Sequence, residues 1–450
     1  MNAPVARLGW GTLGAYGSLA LPLATIGLPL SIFLAPFYSG ELGLPLAALG
    51  IAMVVARLSD VVIDPFIGIL SDRVRTRWGR RRVWLPFGAA VMLIGVTQLF
   101  MPAAGADIVY FTIWVSVVYF GFTLIKLPYE AWGAELSNDY HERTRITSVR
   151  QLFTVAGLIA ATALPALVLA SEGAKSSDVL RILTYAMMVA LPLCTVLVVW
   201  LVPEPPQGSA EAAVDLRKGI KILWRNGPFR LVSIALFLGY VAETFRITIT
   251  VFFARDVVGV QNIGLIYLFY FITGFIAVPF WMWLGGKLGK HIAFACALGI
   301  VIVTNFGVFL LSYGQVLEFT MLFMAKGFCF GALELLPASM VADAADVDTV
   351  RSRERRQGLF FAIITMTNKM GQAIGQGLSL NILALVGYKA AGGNSESVLF
   401  LLKFFYGVFP AIFLGVAICL MLRYPLTAKR HRYFQAFLER RQAKSVAAKA

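Results

Sequence analysis

Apolar residues run along this chain in twelve stretches of roughly twenty or more, separated by short charged or glycine- and proline-containing connections. The stretches fall at 9–37, 43–71, 83–103, 107–135, 146–170, 180–202, 228–254, 261–285, 291–313, 316–343, 357–386 and 396–424. At about 1.5 Å per residue each can cross a hydrocarbon layer of about 30 Å as a helix. The pattern therefore predicts an all-α membrane protein with twelve transmembrane helices. Charge interrupts it most sharply at the second stretch, where Arg57, Asp60 and Asp64 stand three and four residues apart and so share one helical face. A charge in hydrocarbon costs several kcal/mol, so this stripe must face protein or water.

Composition agrees with the pattern. Hydrophobic residues make up 59% of the 450 residues and charged ones only 14%, against about 25% charged in soluble domains. Mean hydropathy is +0.77. The net charge of +15 could suggest nucleic acid, but the basic residues cluster in alternate short loops. Six arginines lie in 72–82 and three more in 138–150, followed by 217–230, Lys287 with Lys290 and His291, Arg351 to Arg356, and the tail. This is the positive-inside distribution. It excludes nucleic acid as the partner and puts both termini and the central loop in the cytoplasm, with the chain multi-pass in a cell inner membrane. The first apolar stretch is too long for a cleavable signal peptide, so none is expected. Cys194, Cys296, Cys329 and Cys419 all fall in apolar stretches at no metal-ligand or disulfide spacing, and are expected as small core residues.

The two halves repeat. Leu127-Pro128 and the following Glu142-Arg143 have counterparts in Leu336-Pro337 and Glu354-Arg355, offset by 209 residues at the prolines and 212 at the Glu-Arg pairs. The loop at 72–82 has a weaker counterpart at 285–290. The expected organisation is a six-helix bundle over 1–202, a cytoplasmic central loop over 203–227, a second bundle over 228–424 and a basic tail over 425–450. Internal repeats of this kind build many secondary transporters.

Taken together, Arg57, Asp60, Asp64-Pro65, Arg77-Trp78-Gly79-Arg80, Leu127-Pro128-Tyr129, Glu142-Arg143, Arg150, Glu354-Arg355 and Lys369 resemble the major facilitator superfamily. The resemblance is to its glycoside–pentoside–hexuronide:cation symporter branch, typified by melibiose permease, and spans both halves. It implies two pseudo-symmetric six-helix bundles and alternating access. It also implies a coupling-cation site at Asp60 and Asp64, and places Lys369 and Arg150 along the central path. The sequence departs from that branch at Lys126, where an acidic residue is usual before the Leu-Pro-aromatic turn, and at Leu19, where comparison puts an aspartate.

Two carboxylates one turn apart repel each other and need a cation, a proton or a basic partner. Pro65 cannot donate to the carbonyl of Val61, which leaves a further oxygen for a cation. An ammonium at Lys126 close to the pair would compensate it as a bound sodium does, so proton coupling is expected in preference to sodium. His141, His291 and His431 all fall in cytoplasmic segments, which leaves Asp60, Asp64, Glu130 and Glu243 to carry a proton. Glu130 lies four residues after Lys126 and can pair with it. Glu243 and Arg246 lie one turn apart, and Lys326 and Glu334 two turns apart.

Tyr16, Tyr129 and Trp132 are candidate stacking platforms for a sugar. Lys126, Arg150, Glu243, Lys369 and Gln372 are candidate polar contacts to substrate, and their bases favour an anionic sugar such as a uronide. Asp72, Arg73, Arg77, Arg80 and Arg81, with Glu142-Arg143 and Glu354-Arg355, are expected to form ion pairs between helix ends that bias a two-state gate. The function expected is that of a monomeric symporter importing a sugar, glycoside or uronide with a proton or sodium ion and no other cofactor. A carrier of amphipathic lipids or drugs on the same scaffold is the alternative. A membrane-embedded enzyme would need a nucleophile–base or metal constellation that no motif here supplies.

Overall fold

The computed structural model describes residues 7–74, 76–137, 139–171, 173–204, 224, 226–352 and 357–426. Among these, all regular structure is helical apart from one isolated bridge between Thr76 and Gly79. Among the described residues twelve long helical segments follow one another: α1 (Trp10–Ile32), α2 (Leu46–Arg73), α3 (Trp84–Phe100), α4 (Ile108–Glu135), α5 (Tyr140–Val168), α6 (Ser176–Leu201), α7 (Gly227–Val258), α8 (Ile263–Ile276 with Val278–Leu288), α9 (Lys290–Phe309), α10 (Val316–Phe328 with Phe330–Ser352), α11 (Gln357–Leu385) and α12 (Glu396–Leu422). Among the described residues nine of them are long and apolar enough to cross a membrane, and α8 is a tenth if its two parts, bent by 46°, form one span. Of the other two, α3 is short, and α11 carries Asn368, Lys369, Gln372 and Gln376 in its middle.

Helix starts follow ordinary capping chemistry. Asp107 accepts from the backbone N–H of Tyr110 at 2.8 Å to open α4, and Asp139 accepts from Glu142 at 2.9 Å to open α5. Asn226 opens α7 by accepting from Phe229 at 3.1 Å, and its amide donates to the carbonyl of Ala344 at 2.9 Å.

The chain divides into two compact units, and the division does not follow the sequence repeat. The first comprises Met1–Ala213, Ile247–Leu268 and Gln376–Leu399, the second Val214–Arg246, Phe269–Gly375 and Phe400–Ala450. In the first unit α3 and α4 pack closely because Gly121 has no side chain: a Cβ there would lie 2.7 Å from the backbone of Met92. The same unit holds the ends of α7, α8 and α11. Asn262 donates to the carbonyl of Ala166 at 2.8 Å, and Tyr388 and Arg255 both reach Asp256. In the second unit the core is a cluster from α7 to α12 that includes Phe229, Trp281, Phe294, Phe360 and Met421. Cys194 and Cys329 are buried as small core residues should be, whereas Cys296 and Cys419 are exposed on outer helix faces, correcting that expectation.

Candidate functional site

On α2 the apolar residues Val62, Phe66 and Ile69 point outward, which turns the opposite face, with Asp60, into the protein. Asp60 is only 3% exposed. Thr123 on α4 supplies the group that meets it: the Thr123 hydroxyl lies 2.6 Å from Asp60 Oδ1 and 3.0 Å from Asp64 Oδ1. One hydroxyl has one proton to give, so it serves the two carboxylates in alternation. Arg57 stands at the edge, with Nη1 3.9 Å from Asp60 Oδ2 and its guanidinium 4.1 Å above the ring of Tyr119. The Thr123 hydroxyl thus joins the two carboxylates, and Arg57 stands beside Asp60.

Lys126 does not complete this group. Its ammonium lies 5.5 Å above the ring of Phe122, and among the described residues it forms no ion pair with a carboxylate. The expected pairing with Glu130 is corrected as well, because Glu130 turns to Arg150 on α5 at 3.6 Å. A hydrophobic neighbour holds the lysine, and an arginine with a longer reach takes the carboxylate.

The three aromatic platforms are packing residues in this structure. Tyr16 and Tyr129 are 1% and 2% exposed and stack at 4.6 Å between centroids. Each hydroxyl donates to the other's backbone carbonyl, at 3.2 and 2.7 Å, which fastens α1 to α4. Trp132 is fully buried and donates from Nε1 to the carbonyl of Pro203 at 3.0 Å. Rings covered in this way have no free face for a sugar.

At the far end of α2 the arginine-rich loop folds onto the first unit. Arg81 donates to Asp72 at 2.6 Å, to Glu135 at 2.7 Å and to Ser71 at 3.0 Å, and Arg80 reaches Glu135 at 2.6 Å. Burial disfavours the Arg81 charge, but Glu135 and Asp72 outweigh it and leave its pKa above the ordinary arginine value. Glu204, after α6, accepts the backbone N–H groups of Arg80 and Arg81 at 2.6 and 2.8 Å. The second unit repeats the arrangement. Lys290, 209 residues after Arg81, holds Asp343 at 2.6 Å, and Asp343 lies 208 residues after Glu135.

The remaining gating candidates behave differently. Glu142 is buried and pairs with Arg145 on its own helix at 2.8 Å, while accepting the Leu8 N–H at 3.0 Å. Arg143 donates to the carbonyl of Ser137 at 2.6 Å. Arg77 stacks 5.8 Å from Trp78, and Arg73 is exposed. The expected Glu142-Arg143 contact with Glu354 and Arg355 cannot be placed, since those two lie outside the described residues.

In the second unit Glu243 on α7 lies between two cations. Arg246 Nη2 is 2.6 Å from Glu243 Oε1, and Lys326 Nζ on α10 is 2.8 Å from Oε2. Arg246 also donates to the Tyr406 hydroxyl at 2.7 Å and lies 5.1 Å from the Phe323 ring. Lys369 and Gln372 are half-buried on α11. Thr123, Glu135, Glu204 and the Lys326 pairing were missed by sequence reasoning. The hydroxyl in an apolar run had only its place three residues before Lys126 to mark it. Glu135 was visible within the repeated Leu-Pro segment.

The comparisons agree with this architecture. Residues 15–428 match the family model described as MFS/sugar transport protein. The putative glycoside/cation symporter YagG of Escherichia coli is 26% identical, with 88% of each chain covered. The sodium-dependent lysophosphatidylcholine symporter 1-A of Danio rerio is 22% identical, over 92% of this chain and 85% of its own. A crystal structure of a D-xylose-proton symporter superimposes with a TM-score of 0.67 at 15% identity, covering 93% of this chain and 98% of that one, a likeness of fold. The chain belongs to the MFS/sugar transport protein family and is a multi-pass membrane symporter of the major facilitator fold, not an enzyme.

Proposed function

We propose that this symporter imports a sugar, glycoside or uronide by alternating access, driven by a cation bound between Asp60 and Asp64, and that this cation is a proton in preference to sodium. The observation that carries the reading is the single Thr123 hydroxyl within hydrogen-bonding distance of both carboxylates. A hydroxyl shared by two carboxylates one turn apart marks the place where an added proton would offset their mutual repulsion. Arg57, at 3.9 Å, offsets part of the remaining negative charge. Binding that cation then favours the state that takes substrate, and substrate favours cation binding by the same factor.

Lys126, held by a ring and by no carboxylate among the described residues, is a cation available to an acidic substrate group. That supports a uronide over a neutral disaccharide. The arginine-rich loops support a cytoplasmic position for both termini in a cell inner membrane. The likeness to a lysophosphatidylcholine symporter supports a second reading, an amphipathic lipid as substrate. Thermal shifts of the purified protein against neutral sugars, uronides and lysophosphatidylcholine decide between them, since a ligand stabilises the state it binds. Stabilisation by uronides bears out the first reading. Stabilisation by the lysolipid alone replaces it with the second.

A further inference from the structure

We propose that Lys326 is a second proton-exchanging group of this symporter, separate from the Asp60–Asp64 pair and built wholly within the second unit. The motivating feature is an imbalance of charge around Glu243. Its carboxylate is bound at both oxygens, Oε1 by Arg246 at 2.6 Å and Oε2 by Lys326 at 2.8 Å. The side chains of Arg246 and Lys326 are 1% and 3% exposed. Among the described residues Glu243 is the one acidic partner Lys326 has, and it is already held by the arginine. The lysine Nζ therefore spends its three donors on a single shared ion contact.

The surroundings give no relief. From α7 the groups that face the lysine are Glu243 and Arg246, and α12 brings the Tyr406 hydroxyl, which Arg246 occupies at 2.7 Å. On α10 itself Cys329 lies one turn on and Phe323 one turn back, with the ring of Tyr270 from α8 5.9 Å from Phe323. The charged residues of α8 and α9, Lys287, Lys290 and His291, lie at the connection between those helices. A buried cation with half a carboxylate is costly. Of the three charged groups, the guanidinium cannot release a proton in a protein, and protonating Glu243 would take away the anion that both cations share. Lys326 alone can remove the imbalance: one Nζ–H bond breaks, the proton leaves, and a neutral amine remains beside a Glu243–Arg246 pair of zero net charge. Reprotonation restores the starting state.

An anionic substrate could in principle balance the same charge. The exposures argue against it, because Glu243 is 28% exposed whereas the two cations are covered, so an arriving solute meets the carboxylate first. Proton exchange at Lys326 therefore controls how many cations hold the one group there that a solute can reach. With the amine neutral, Oε2 is released to accept a substrate hydroxyl. This last step rests on the symporter reading above, whereas the titration itself does not.

The test counts protons, using the proton as the only ligand. Full-length protein in nanodiscs is titrated in weak buffer between about pH 6 and pH 9, a window in which ordinary carboxylates and lysines are silent. Wild type is compared with Lys326→Met, Lys326→Arg and an Asp60→Asn, Asp64→Asn double variant. Lys326→Met and Lys326→Arg should each release one proton fewer per molecule, and Lys326→Arg keeps the charge should the methionine variant fail to fold. The double variant should keep the Lys326 proton. Equal counts for wild type and Lys326→Arg overturn the proposal. Loss of a proton in the double variant alone assigns exchange to the aspartates only, which overturns this proposal and leaves the coupling reading standing.

Discussion

Glu135→Ala removes the anion that fixes the arginine loop to α4. Two arginines lose it together: Arg80 at 2.6 Å, with 13% side-chain exposure, and Arg81 at 2.7 Å, with 3%. Glu135 is itself 29% exposed, so solvent screens part of the interaction. An exposed pair is worth at most about 1 kcal/mol, and breaking a fully buried one costs about 3–5 kcal/mol. A loss of about 2 kcal/mol is the figure intermediate burial supports. Arg81 keeps Asp72, whose 51% exposure makes that pair a weak substitute. When opening is fast relative to cleavage, proteolysis follows the open population. Thus about 2 kcal/mol raises the open fraction about 30-fold. The assay is the initial rate of tryptic cleavage at Arg77, Arg80, Arg81 and Arg82 in nanodisc-embedded protein, read by mass spectrometry. Glu135→Asp serves as the conservative control. A rise of less than about threefold in Glu135→Ala would refute the claim that this carboxylate holds the loop.

Other substitutions test separate parts of the account. Gly79 has φ of +117°, and a Cβ there would press on the Glu204 carboxylate; Gly79→Ala should cost about 1–3 kcal/mol and open the same tryptic sites. Tyr129→Phe loses the bond to the Tyr16 carbonyl, so melting should fall by the equivalent of about 1 kcal/mol while uptake persists; abolished uptake at unchanged stability would restore a substrate role to that ring. Burial, and then the neighbouring Asp256 carboxylate, push the Tyr388 phenol above its ordinary pKa. Its hydroxyl therefore stabilises the fold fully below about pH 10, and that contribution fades as pH rises through the elevated value. Tyr388→Phe should lower stability by about 1 kcal/mol, evenly across pH 6–9, as judged by thermal unfolding; a difference that varied within that window would contradict the assignment.

Much of the architecture can be read from the chain because hydrocarbon imposes a simple length rule. The twelve apolar stretches and the 209-residue offset between the two Leu-Pro segments are both visible in one dimension. Contacts between helices are less legible. Spacing along α7 pairs Glu243 with Arg246, but nothing in spacing brings Lys326 across from α10. Likewise Lys126 and Glu130 satisfy the one-turn rule, and still the phenyl ring of Phe122 and the guanidinium of Arg150 divide them. Thr123 is a further case, a residue whose ordinary role in a membrane helix is to bond its own backbone. Its meeting with Asp60 depends on how α2 and α4 pack, which periodicity does not specify.

The central claim is that Asp60 and Asp64 bind the coupling cation and that it is a proton. The most direct measurement is accumulation of the sugar selected by thermal shift into right-side-out vesicles, driven by an imposed pH gradient without sodium, for wild type, Asp60→Asn and Asp64→Asn. Wild type should accumulate the sugar under the pH gradient alone. Either asparagine variant should equilibrate it without accumulation, because an amide cannot take up the proton that the paired carboxylates share. Accumulation that requires sodium and ignores the pH gradient, or asparagine variants that accumulate as wild type does, would contradict the account.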